Sequence, residues 1–127
     1  MKALIIDDEI DICYLLSSIL RKKNVLTNYV NSINEATQAL LKQRPEIIFL
    51  DNHLPDGMGV DFITKIKKTN PDVKVVMITA YDTNTDRSKA ISEGVDFFIA
   101  KPFSRDTIYK TVDHLLHWRV DFLKPGW

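Results

Sequence analysis

The amino-acid sequence predicts one α/β domain with a doubly wound, five-stranded parallel sheet. Two observations carry that prediction. Five short apolar runs recur at 3–6, 26–30, 47–50, 73–78 and 95–100. Most are rich in β-branched or aromatic residues and bounded by polar or turn residues, the mark of buried strands. Between them lie segments whose apolar residues return at helical spacing, so each interval holds one strand and one crossover helix. Right-handed crossovers leave few topologies. The expected order is 2-1-3-4-5, with the first strand central and the reversal between strands 1 and 3, a flavodoxin-like (βα)5 arrangement.

The first helix shows Ile12, Leu16, Ile19 and Leu20 on one face, carries Arg21, Lys22 and Lys23 where cations suit the helix dipole, and should stop near Asn24. Ser32 or Asn34 caps the second, which turns Ala36, Ala39 and Leu40 inward and stops before Pro45. The third runs from about Val60, buries Phe62, Ile63 and Ile66, and ends near Asn70-Pro71. Over 83–93 the fourth has little apolar surface beyond Ala90 and Ile91, so its docking should be loose. Ser104 caps the fifth, whose inward residues are Ile108, Val112, Leu115 and Leu116 before the pattern blurs around Trp118.

Composition narrows the function. A chain of 127 residues has room for one core, and its 45% hydrophobic and 27% charged residues are ordinary for a globular domain. Seventeen basic and seventeen acidic residues cancel, so the electrostatic footprint of a nucleic-acid-binding module is missing. The longest apolar run, 12–16, is five residues, far below the roughly 18 that a membrane span needs. The first residues turn acidic at Asp7-Asp8, where a signal peptide would stay apolar. Cys13 is the single cysteine and permits no internal disulfide, so a cytoplasmic location is expected.

In an open parallel sheet the ligand site lies beyond the carboxyl ends of the strands, at the switch point. The sequence sends unusual chemistry there: Asp7-Asp8-Glu9 after strand 1, Asp51 after strand 3, Thr79 after strand 4 and Lys101 after strand 5. Two unit charges about 4 Å apart interact by about 4 kcal/mol at an effective dielectric near 20, so neighbouring carboxylates call for a cation. All-oxygen donors with few carboxylates suit Mg²⁺ better than Ca²⁺. A carboxylate beside Mg²⁺ can accept a phosphoryl group if cations offset the charge, and Asp51, the lone acid at its strand end, fits that nucleophile. Lys101 would balance phosphoryl charge and Thr79 would donate its hydroxyl. Blander roles compete. Acids at 8, 9 and 11 also suit a helix N-terminus; Cys13 fits a small core residue; His53, His114 and His117 lack metal-ligand spacing. Phe97 and Phe98 must face opposite sides of the sheet.

Taken together, the stretches 5–9, 50–59, 77–81 and 94–103 resemble the receiver domain of two-component response regulators, like the single-domain chemotaxis and sporulation receivers, over residues 2–117. The resemblance implies that Asp51 takes a phosphoryl group from a phosphohistidine on a sensor histidine kinase or a histidine phosphotransfer protein. It implies Mg²⁺ held directly by Asp8, largely through water by Asp7, and by Asp51 and the backbone carbonyl of His53. Thr79 and Lys101 would bind the phosphoryl group, and Phe98 would rotate as the switch aromatic, without the hydroxyl of the Tyr the family often has there. Positions 53 and 81 would tune phosphoryl lifetime, and the Lys101-Pro102 bond is commonly cis in the family. The switched surface would be helix 4, strand 5 and helix 5, and the chain would be a phosphoacceptor with at most slow autodephosphorylation, acting on a protein partner.

Three rivals stay open. Phosphatases of the haloacid dehalogenase class use similar groups, but with an Asp-x-Asp pair where this chain has Asp51-Asn52-His53. A flavodoxin-like electron carrier needs a Gly- and hydroxyl-rich loop after strand 1, and this loop is acidic. An interaction domain that keeps the fold alone would not need Asp51, Thr79 and Lys101. The expected boundaries are 1–117 for the domain and 118–127 for a tail, whose Phe122 and Trp127 suit packing on the domain, a homodimer, or the start of a linker to an output domain. The chain is thus either a stand-alone receiver or part of a longer regulator.

Overall fold

The computed structural model describes residues 1–80 and 84–123, with side chains described as far as residue 115 in the last helix. Tyr81, Thr83 and the tail from 124 onward lie outside the described residues. The sheet consists of β1 (Lys2–Ile6), β2 (Leu26–Val30), β3 (Ile47–Asp51), β6 (Lys74–Thr79) and β7 (Phe97–Ala100), all pairings parallel, in the order β2-β1-β3-β6-β7. The two-residue strands β4 (His53–Leu54) and β5 (Gly57–Met58) form a separate antiparallel hairpin, and with it set apart the order is the expected 2-1-3-4-5. The helices are α1 (Ile10–Arg21), α2 (Ile33–Lys42), α3 (Gly59–Thr69), α4 (Asn84–Ser92) and α5 (Arg105–Leu123). Among the described residues no helix is long and apolar enough to cross a membrane.

Alternation along each strand divides the core in two. Ala3, Ile5, Phe49, Val76 and Ile99 meet α1 and α5 through Leu16, Ile19, Ile108 and Val112. The intervening residues Leu4, Ile6, Ile48, Leu50 and Met77 meet α2, α3 and α4 through Ala36, Ile63, Ile66 and Ala90. Phe97 packs on the first cluster and Phe98 on the second, on opposite faces as expected. Cys13 is fully buried in the first cluster.

One strand departs from its expected setting. The run 26–30 reads as buried, yet Leu26 and Tyr29 are exposed, because β2 is an edge strand and the buried apolar residue is the preceding Val25. Helix ends follow local chemistry more closely. Ser32 Oγ accepts from Glu35 N and Ser104 Oγ accepts from Thr107 N, so both serines cap their helices. Asn24 takes φ 61 just beyond α1, a conformation asparagine tolerates. The backbone of α5 continues helically to Leu123, past the point where the sequence pattern blurs.

Candidate functional site

The carboxyl edge of the sheet gathers the residues that the sequence marks. Asp7 follows β1 directly, Asp51 ends β3, Thr79 ends β6 and Lys101 follows β7. Register makes neighbours of the last three: Asp51 lies opposite Ile78, Thr79 opposite Ala100, and Lys101 N donates to the Thr79 carbonyl at 2.8 Å. The Lys101-Pro102 peptide is cis. Helix α3 starts hard against the acceptor strand. A Cβ at Gly59 would stand 2.2 Å from the Asp51 carbonyl oxygen, so only glycine fits there. Asn52 fastens that start, its carbonyl accepting from Gly59 N at 2.7 Å and its Oδ1 from Val60 N at 3.0 Å.

Lys101 is the hub. Its Nζ donates to Asp7 Oδ2 at 2.9 Å and to Glu9 Oε1 at 3.1 Å, and lies 3.7 Å from Asp51 Oδ1. Asp7 and Asp51 are almost wholly buried, at 2% and 5% exposure, and Thr79 is fully buried. Asp8 and Glu9 are exposed, and one oxygen from each of Asp7, Asp8, Glu9 and Asp51 falls within 4.8 Å of the others. Burial, then the negative charge of Asp7, pushes the Asp51 carboxyl up to about 7 despite Lys101. Burial likewise raises the Asp7 carboxyl, outweighing its bond to Lys101. Burial works against the Lys101 charge too, but its hydrogen bond to Asp7 and the charges of Asp51 and Asp7 prevail and keep its pKa above the ordinary lysine value. One ammonium therefore leaves this group of carboxylates short of positive charge, and an all-oxygen set this tight suits a hard divalent cation.

The expected residues Asp7, Asp8, Asp51 and Lys101 meet at one point, and Thr79 and Phe98 stand on the adjoining strands. Half-buried His53 sits two residues beyond Asp51, in β4, where its backbone N–H helps hold the Asp51 charge. Glu9 belongs to the site as well, although beside Asp8 and Asp11 it reads equally as a helix-dipole residue. Its place in the acidic run was the available signal. Asn31 and Asp56 brace the site from outside the acidic cluster; no periodicity or motif marks Asn31, and Asp56 is marked only as part of the stretch 50–59. Asn31 Nδ2 donates to the Asp7 carbonyl at 2.8 Å, and Asp56 accepts from Ile33 N and Asn34 N at 2.8 Å each.

Comparison with known proteins agrees with this geometry. A family model for the response regulator receiver domain matches residues 3–113. The chain is similar to the probable transcriptional regulatory protein TcrX of Mycobacterium tuberculosis, 32% identical over 113 residues that are 89% of this chain and 48% of that protein. It is also similar to the response regulator protein PilR of Pseudomonas aeruginosa, 33% identical over 118 residues, 93% of this chain and 26% of that protein. The chain thus spans half or less of the length of these relatives. A crystal structure of a two-component response regulator from Clostridium difficile has a TM-score of 0.89 at 26% identity, with 92% of this chain and 96% of that one covered. The solution structure of the beryllofluoride-activated NtrC4 receiver domain dimer has a TM-score of 0.85 at 34% identity, with 90% and 94% covered.

Proposed function

This chain belongs to the response regulator receiver domain family, and on that premise we propose that it is a phosphorylation-dependent switch whose phosphoacceptor is Asp51. Receiver domains are phosphoacceptor signalling domains, generally not enzymes, and slow autodephosphorylation is the most this reading asks of it. The donor is a phosphohistidine on a sensor histidine kinase or a histidine phosphotransfer protein. An Asp51 carboxylate oxygen attacks phosphorus and an O–P bond forms. The P–N bond breaks and its electron pair passes to the imidazole nitrogen.

The carboxylates fit Mg²⁺, since their oxygens lie within 4.8 Å of one another and burial crowds two of them. Asp7, Asp8, Asp51 and the His53 backbone carbonyl would hold it. When bound it supplies positive charge against the phosphoryl oxygens. The Lys101 ammonium binds another phosphoryl oxygen, and the Thr79 hydroxyl donates to a third. The product adds about −1.5 to −2 of charge at the sheet edge. Thr79 and Phe98 respond, and the surface made by α4, β7 and α5 changes its population between two arrangements and its affinity for a protein target.

This reading places the domain in residues 1–117 and a tail or linker in 118–127, in the cytoplasm, where Cys13 stays a thiol. The partner downstream is a protein or an output domain rather than nucleic acid or a membrane, and a homodimer is a further assembly. The observation that carries the proposal is the buried Asp51 carboxylate 3.7 Å from the Lys101 ammonium and grouped with three other acids. Incubation with acetyl phosphate and Mg²⁺, followed by intact mass and size-exclusion chromatography, tests it. One phosphoryl mass on the wild type and none on a folded Asp51→Asn variant is the expected result. Labelling of an aspartate in that variant would show that the acceptor lies elsewhere.

A further inference from the structure

A turn that carries none of the acids joins the two halves of the acidic site. Between β2 and α2, Asn31 Nδ2 donates to the Asp7 carbonyl at 2.8 Å, tying the turn to the end of β1. Two residues on, the backbone N–H groups of Ile33 and Asn34 both donate to Asp56, one to each carboxylate oxygen, at 2.8 Å. Asp56 sits in the turn of the β4–β5 hairpin, where His53 pairs with Met58 and Leu54 with Gly57. That hairpin follows Asp51 directly and carries His53. It is fastened to α3 on one side by Asn52 and Gly59, and to α2 on the other by Asp56. The fit on the α2 side is close, since a Cβ at Gly57, which has φ +155, would stand 2.9 Å from Ile33 Cδ1.

We propose that Asp56 is a positioning residue for cation binding at the acidic site. Through the first turn of α2 and Asn31 it holds the His53 hairpin in register with the Asp7-Asp8 end of β1. Asp56 is exposed and stands outside the cluster of four acids, so it acts through the backbone it holds and not as a ligand. A bidentate carboxylate on two helix N-terminal N–H groups is a charge-assisted contact that orders the loop bearing it. The two backbone bonds also hold its carboxyl below the usual aspartate range, as the geometry requires. Partners that orient metal ligands matter to affinity even when they touch no metal.

This inference rests on the Mg²⁺ reading of the site, and the test separates the two. The full chain is titrated calorimetrically with Mg²⁺ alone, and acetyl phosphate labelling is followed by intact mass across a Mg²⁺ series. For Asp56→Ala the Mg²⁺ dissociation constant rises by about tenfold, the lower end of what outer partners of metal ligands contribute. The labelling midpoint moves by the same factor while the plateau at saturating Mg²⁺ is kept. Asp56→Asn retains one carbonyl acceptor and shifts less. Ser32→Ala removes a different side-chain cap of the same helix, in which Ser32 Oγ accepts from Glu35 N, and leaves Mg²⁺ affinity unchanged. Equal affinity in wild type and both Asp56 variants, or an equal shift in Ser32→Ala, would overturn the positioning role and leave the site intact. A wild-type chain that neither binds Mg²⁺ nor takes up phosphoryl would remove the site reading itself, and this inference with it.

Discussion

At the scale of single residues, the site is a set of charges that do not balance. Asp7 and Asp51 are both buried, and Lys101 is shared between them and Glu9. Neutralising Asp51 removes a desolvated charge and its repulsion with Asp7, so Asp51→Asn should melt higher than wild type in EDTA. Added Mg²⁺ should raise the wild-type melting temperature more than that of the variant, because stabilisation by a ligand requires its site. Differential scanning calorimetry with and without Mg²⁺ checks both, and a variant that melts lower in EDTA would contradict the charge argument. Gly59 makes a second test. Since a Cβ there would overlap the Asp51 carbonyl, Gly59→Ala must displace either the start of α3 or the end of β3. Loss of acetyl phosphate labelling together with a lower melting temperature is the expected outcome.

Among the elements, α4 is held by polar contacts more than by burial, and α2 adds a polar contact to its apolar face. Ala90 is the buried residue of α4, and the helix is tied to α3 by Lys89 Nζ to Asp61 Oδ1 at 2.7 Å and, one residue beyond its end, by the Thr64 hydroxyl donating to Glu93. Exposed ion pairs contribute about 0–1 kcal/mol and are screened by salt, which suits an element expected to shift. Hydrogen exchange should therefore be faster in α4 than in α1, and Lys89→Met should speed it further in α4 alone. Equal protection of the two helices would count against a loosely held α4. For α2 the contact is Asp56, whose bonds to Ile33 N and Asn34 N lower its carboxyl pKa. A carboxylate depressed in the folded state contributes stability that is complete above the ordinary aspartate value of about 3.9 and is lost as pH falls through the lower folded value. The difference in melting temperature between wild type and Asp56→Asn should be largest near neutrality and narrow as pH is taken down to about 3.

For the molecule as a whole, the sheet separates two cores that, among the described residues, share no buried side chain. Ile19 lies in the core under α1 and α5, and Ile63 in the core under α2, α3 and α4. Each Ile→Val change should cost about 0.5–1.5 kcal/mol, and distant sites add to within about 0.5 kcal/mol. Urea denaturation of the two single variants and the double variant checks this, and a strongly non-additive double variant would mean that strain crosses the sheet. The same division explains how a switch can work in this fold. Under the proposed switch, the anchored strands would keep Asp7, Asp51 and Lys101 together while the weakly apolar α4 on one face shifts.

Strand order, most helix limits and the meeting of Asp7, Asp8, Asp51, Thr79 and Lys101 at one edge were legible in the linear order of residues. Alternation and helical period are local properties, and parallel crossovers send every strand's end to the same side. What tertiary structure alone decided was of longer range. Leu26–Val30 reads as a buried strand like the others but lies at the edge with Thr27 and Asn28 in its middle, because a run of side chains does not say how many neighbours its strand will have. Glu9 stood in the acidic run after strand 1, but its bond to Lys101, 92 residues away and 3.1 Å from it, was decided by the tertiary structure. Asp56 and Asn31 gained their roles from contacts across 22 to 24 residues, made through backbone groups that every residue possesses and no sequence pattern distinguishes.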